Sequence, residues 1–166
     1  MAQIALHGNA INTNGELPKI GDQAKNFELI AQDMSLVNLD KYKGSRVVLN
    51  IFPSIDTGIC ALSVKHFNQA AAKLENTKIL CVSRDTPMAQ GRFCGAEGTD
   101  QVETLSDLAT GDFGKDYGIQ IVDGPLKSFT GRAVIVLDEN HKVTYTELVP
   151  EIAQEPNYEA ALSSLS

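Results

Sequence analysis

RVVLNIFPSIDTGIC, residues 46–60, passes from an apolar run into a proline turn and ends on a cysteine. Arg46–Phe52 is apolar and β-branched, the composition of a central strand in a sheet covered on both faces. Pro53 turns the chain. Beyond it, Ile59, Leu62, Phe67, Ala70 and Leu74 recur near helical spacing, so a helix is expected through Glu75. Cys60 then falls in the first turn of that helix, where unpaired N–H groups and the positive end of the macrodipole favour negative charge on sulfur. The plainer alternative is a small buried hydrophobe, which free cysteine often is.

Working outward, Lys78–Ser83 reads as a second apolar strand, and two strands around one helix make a right-handed βαβ unit. Asp85-Thr86-Pro87 offers a helix start with a cap and an early proline; that helix should run through Met88 to Cys94 and stop at Gly95. Val102–Leu105 suggests a short strand, and Phe113–Tyr117 a short helix ending at Gly118. Arg132–Leu137 and Lys142–Leu148 flank Asp138–His141 as an antiparallel hairpin. Pro156-Asn157-Tyr158 opens a C-terminal helix through Leu165. Upstream, Gln3–Leu6 and Ala10–Thr13 form an N-terminal hairpin about Gly8-Asn9, an appendage to the core, and Lys25–Ile30 and Met34–Leu39 pair around Gln32-Asp33. These elements predict an α/β chain of thioredoxin-like architecture, a central mixed β-sheet flanked by helices with an N-terminal β-hairpin.

With 166 residues the chain fits one domain spanning 1–166, long enough for a core without staples. The formal charge of −7 and scattered basic residues argue against nucleic acid. The N-terminus carries no secretory pattern and no later run approaches a membrane span, so a cytoplasmic location is expected. Three cysteines without tight spacing do not build a disulfide framework.

Residues 52–60, FPSIDTGIC, resemble the peroxidatic-cysteine motif of peroxiredoxins, with Pro53, Thr57 and Cys60 on its positions. RFCGAEG at 92–98, DGPL at 123–126 and ELVPEIAQEP at 147–156 are similar to the bacterial thiol peroxidase group, atypical two-cysteine peroxiredoxins. The resemblance spans nearly the whole chain. It implies a metal-free and cofactor-free peroxidase that reduces hydrogen peroxide and organic hydroperoxides. In this reading Cys60 attacks the peroxide as thiolate and becomes a sulfenic acid. Thr57, which as an ordinary residue would cap the helix, accepts from the peroxide and donates to the sulfur. Pro53 shapes and shields the turn.

Arg132, taken alone, is a solvated cation at a strand edge; the resemblance makes it the arginine that approaches the sulfur from a neighbouring strand. Cys94, taken alone, is either a buried thiol or a partly exposed one near a helix end. The resemblance makes it the resolving cysteine, closing a Cys60–Cys94 disulfide that thioredoxin reopens. Since bridged Cα atoms lie within about 7 Å, forming that bond implies local unfolding around both cysteines. A homodimer is also implied.

Cys81, inside an apolar strand, reads as structural. His7, His66 and His141 are scattered without zinc spacing or a paired thiol, and there is no CxxC, GxGxxG or P-loop. A dithiol oxidoreductase and a cysteine hydrolase are therefore poor fits. A redox sensor or chaperone switched by Cys60 oxidation is the alternative outside enzymology.

Overall fold

The computed structural model of the protein describes residues 1–165. Among these residues, nine strands and four α-helices follow one another as β1 (Gln3–Leu6), β2 (Asn9–Asn12), β3 (Glu28–Ala31), β4 (Leu36–Asn38), β5 (Arg46–Ile51), α1 (Gly58–Ala71), β6 (Thr77–Ser83), α2 (Pro87–Glu97), β7 (Glu103–Ser106), α3 (Asp112–Asp116), β8 (Ala133–Leu137), β9 (Val143–Leu148) and α4 (Tyr158–Ser163). Seven strands make one mixed sheet in the order β4-β3-β7-β6-β5-β8-β9, and β1 and β2 pair separately. The expected α/β architecture with its N-terminal hairpin is what the chain adopts.

β5 lies at the centre, parallel to β6 and antiparallel to β8, with Leu49 opposite both Leu80 and Ile135. Alternation then sends its side chains into two cores. Val47, Leu49 and Ile51 join Leu80, Leu105, Phe113, Tyr117 and Ile135 in one. Val48 and Phe52 join Cys60, Val64 and Phe67 of α1, Cys81 of β6, and Ala161 of α4 in the other. Being buried on both faces is why these strands read as continuous apolar runs, and burial of a side chain such as Phe67 contributes about 2–3 kcal/mol.

Several boundaries differ from the expectation. The first turn is made by His7 and Gly8, with φ of 50° and 83°, rather than by Gly8-Asn9. Two positive φ values in a two-residue loop match the twist of the flanking strands. α2 continues past Gly95 and ends at Gly98, whose φ of 66° is left-handed and whose N–H bonds the Cys94 carbonyl. A glycine terminates a helix only where it takes that conformation, and Gly95 remains helical.

The hairpin is more than an appendage. Ala5 N–H donates to the Pro150 carbonyl at 2.8 Å, and Ile152 N–H returns a bond to the Ala5 carbonyl at 2.9 Å. Ile4 and Ile11 pack with Ile121 and Ile152 in a third cluster. No helix among the described residues is long and apolar enough to cross a membrane.

Candidate active site

The site forms where the C-terminal end of β5 hands the chain to α1. Pro53 and Ile55 are buried in the turn, whereas Asp56, Thr57 and Gly58 are exposed. Cys60 is the third residue of α1 and is fully buried. Its sulfur accepts a hydrogen bond from Arg132 Nη2 at 3.2 Å.

Arg132 immediately precedes β8 and is only 2% exposed, so it is not the solvated strand-edge cation that its sequence position alone suggests. Its Nε donates to the Ile152 carbonyl at 2.8 Å, while Nη1 has no partner among the described residues. A buried guanidinium keeps its charge, and a donor from a cation favours an anionic acceptor. The unpaired Nη1 leaves one strong donor beside the sulfur for a further oxygen atom.

Thr57 occupies the N-cap position of α1 without capping it. Its hydroxyl donates to the Ser54 carbonyl at 3.0 Å, so its hydrogen is directed there and not to the Cys60 sulfur as the sequence reading expected. The oxygen lone pairs remain able to accept. With no side-chain cap, the first-turn N–H groups add their partial positive charge near Cys60.

Behind the sulfur, the Cys60 carbonyl accepts from Ser63 Oγ at 2.8 Å, and Asn50 Nδ2 donates to the same Ser63 oxygen at 3.2 Å and approaches Cys81 Sγ at 3.7 Å. Asn50 is the polar residue in the buried stretch of the central strand, among Val47, Val48, Leu49 and Ile51, and that oddity was the sequence signal that could have marked it. Tyr158 of α4 stacks on His66 of α1, with centroids 3.9 Å apart. Burial and then Glu155 push its phenol above the usual range, with Arg132 and Cys60 both within electrostatic reach. No local pattern announces Tyr158 or the Ile152 carbonyl.

Cys94 sits in the last turns of α2, buried at 8% exposure rather than partly open. All three cysteines are free thiols in this structure. Three contacts tie α2 and the segment after it to α1 and its lead-in turn: Arg92 to Asp56 at 3.1 Å, Lys65 to Glu97 at 2.8 Å, and Gln101 N–H to Asn68 Oδ1 at 2.7 Å. Cys81 is fully buried in mid-strand, and burial pushes its thiol up to about 12. No cluster of side chains suited to a metal ion occurs among the described residues. His141 lies against the Tyr42 carbonyl at 3.0 Å, remote from this chemistry.

Known proteins resemble this chain over nearly its whole length. The family described as Redoxin matches residues 19–162. The thiol peroxidases of Mycobacterium bovis and Mycobacterium tuberculosis are each 54% identical over 165 residues, covering 99% of this chain and 99% of their own. A peroxiredoxin-like protein from Aquifex aeolicus superposes with a TM-score of 0.94 at 34% identity, covering 99% of this chain and 96% of that one. A thiol peroxidase from Chromobacterium violaceum shares the fold at a TM-score of 0.91 and 21% identity, covering 98% and 94%.

Proposed function

The chain belongs to the redoxin family as a peroxiredoxin of the bacterial thiol peroxidase group, and from that membership we propose a two-cysteine catalytic cycle for this peroxide-reducing oxidoreductase. The observation that carries the reading is the buried Arg132 guanidinium, with Nη2 on the Cys60 sulfur at 3.2 Å and Nη1 unpartnered. The Cys60 thiolate attacks the terminal oxygen of a hydroperoxide. The S–O bond forms as the O–O bond breaks, and the leaving oxygen takes a proton from solvent to become water or an alcohol. Arg132 stabilises the charge on that oxygen through its free donor, as a preorganised cation in a water-poor site does. Thr57 accepts from the peroxide O–H while its own hydrogen rests on Ser54. Pro53 shields the turn and presents no N–H.

The Cys94 thiol then attacks the Cys60 sulfenic acid. The S–S bond forms, the S–O bond breaks, and the hydroxyl leaves with the Cys94 proton as water. A thioredoxin dithiol supplies two electrons by exchange, restoring both thiols and becoming a disulfide itself. Hydrogen peroxide and alkyl or lipid hydroperoxides are the substrates, no cofactor or metal is required, and the working unit is one domain spanning 1–166 that pairs as a cytoplasmic homodimer.

NADPH consumption through thioredoxin reductase and thioredoxin tests the cycle, with hydrogen peroxide and cumene hydroperoxide compared side by side. Turnover is expected in the parent and should vanish in Cys60→Ser. Cys94→Ser should oxidise once and stop. Turnover in Cys60→Ser would remove the chemistry assigned to that residue. Stoichiometric oxidation of the parent without cycling would point to the sensor alternative.

A further inference from the structure

The turn that delivers Cys60 hangs on one carboxylate outside the catalytic set. Asp85, between the end of β6 and the start of α2, accepts three hydrogen bonds: Ser54 Oγ at 2.7 Å, Ile55 N–H at 2.7 Å and Ser83 Oγ at 2.6 Å. Ser54 passes this anchorage on. Its hydroxyl oxygen accepts Asp56 N–H at 3.2 Å, and its carbonyl accepts both Thr57 N–H at 3.2 Å and Thr57 Oγ1 at 3.0 Å. The lead-in to α1 is thus fastened from Ser54 through Thr57.

The other side of the carboxylate belongs to the second cysteine. Ser83 Oγ, besides donating to Asp85, accepts from Gln90 Nε2 at 3.1 Å. Gln90 is buried one helical turn before Cys94 and on the same helix face. The Asp85 carbonyl accepts from Ser106 Oγ at 2.5 Å, and the next residue, Thr86, caps α2 by accepting from Ala89 N–H at 3.1 Å. Asp85 therefore stands at the root of the Cys94 helix and holds the turn before the Cys60 helix.

We propose that Asp85 is the latch of the peroxidatic turn, a positioning residue that sets how often the closed, peroxide-ready arrangement opens for Cys60 to reach Cys94. This inference rests on the two-cysteine cycle proposed above. In this latch, opening carries the lead-in turn out together with the first turn of α1 and so breaks the bonds from Ser54 and Ile55 to Asp85, whereas the exposed Asp56–Arg92 pair is screened by water and adds little. Asn at position 85 keeps the shape and can keep the contacts, since Ser54 Oγ can turn from donor to acceptor, but it removes the negative charge, so the bonds to the turn lose their charge assistance.

The population arithmetic gives the latch an asymmetric signature. While the closed form predominates, weakening it leaves peroxide attack nearly unchanged but raises the minor open form in full proportion. Loss of one charge-assisted bond, or the weakening of both turn bonds to neutral ones, corresponds to about tenfold in that equilibrium. Reduced protein mixed with one equivalent of cumene hydroperoxide, quenched by acid and alkylation and weighed by mass spectrometry, separates sulfenic acid from disulfide over time. For Asp85→Asn we expect disulfide formation about tenfold faster, with Cys60 oxidation within about threefold of the parent. Ser54→Ala, which removes one of these charge-assisted bonds outright, should accelerate disulfide formation by about tenfold as well, and Asp56→Asn by less than twofold.

A purely structural Asp85 would lower the midpoint of thermal unfolding without changing the ratio of the two rates. Disulfide formation in Asp85→Asn that is unchanged or slower would overturn the latch. If that variant does not fold, an unchanged rate in Ser54→Ala overturns it equally. Failure of the underlying cycle looks different, because then the parent itself forms no Cys60–Cys94 disulfide, and both readings fall.

Discussion

Cys60 and Cys81 are both fully buried, and both line the core between the sheet and α1, yet their surroundings differ in kind. Cys60 sits in the first turn of a helix with a guanidinium nitrogen 3.2 Å from its sulfur. Cys81 sits in mid-strand, where its polar neighbour is the Asn50 amide at 3.7 Å and burial raises its thiol to about 12. Burial alone therefore does not make the two sites alike. Cys60 has a fixed cation and an uncapped helix terminus beside it, and in the cycle proposed above these two features mark it as the reactive thiol.

The largest expected effect comes from removing the cation. Arg132→Met, which keeps much of the side-chain volume, should slow oxidation of Cys60 by about 10²–10³-fold, the usual loss for one preorganised donor at a developing oxyanion. A rate within threefold of the parent, measured by stopped-flow competition for peroxide, would dissolve the contrast between the two thiols. Next in size is Thr57→Val, which deletes the acceptor offered to the peroxide while preserving shape. We expect about a tenfold loss in the same rate, with Thr57→Ser restoring most of it.

The inert side of the contrast has its own signatures. Because burial raises the Cys81 thiol from 9.0 to about 12, the folded state holds this proton more tightly than the unfolded chain does. Its contribution to stability is complete below pH 9 and is lost as pH rises through about 12. Cys81→Ala should flatten the alkaline decline in a series of urea unfolding curves. Buried Tyr42 and Tyr117, whose phenols burial also pushes up, keep the remainder of that decline in both proteins. An identical slope in the variant would mean that Cys81 does not titrate with unfolding. The smallest effect should be that of Cys81→Ala on catalysis: Cys60 oxidation within about twofold of the parent, alongside a stability loss of about 1–2 kcal/mol for the space left behind.

Much of the fold was legible along the chain. The strands β5, β6 and β8 and the helix α1 announce themselves through apolar runs and helical spacing, because strands buried on both faces and amphipathic helices carry those periods locally. The end of α2 was not legible, since Gly95 and Gly98 are the same residue type and only the left-handed φ of Gly98 closes the helix. Cys94 consequently lies buried within the helix rather than at a loose end. At the site, Cys60, Thr57 and Pro53 stand on one short motif and could be singled out together. The direction of the Thr57 hydroxyl could not, because it depends on how the turn places the Ser54 carbonyl.

Local pattern thus settled which segments are strands and helices, that a thiol begins a helix after a proline turn, and that Cys81 belongs to a core strand. Long-range packing settled the electrostatics. Arg132 reaches the sulfur from 72 residues away, held at Nε by the Ile152 carbonyl, whose own N–H is fixed by Ala5 of the N-terminal hairpin. Asp85 likewise binds a turn 30 residues earlier in the chain. Periodicity and capping act between near neighbours and leave a trace in composition. A charge brought against a sulfur across a sheet leaves none, because its position depends on how every intervening element packs.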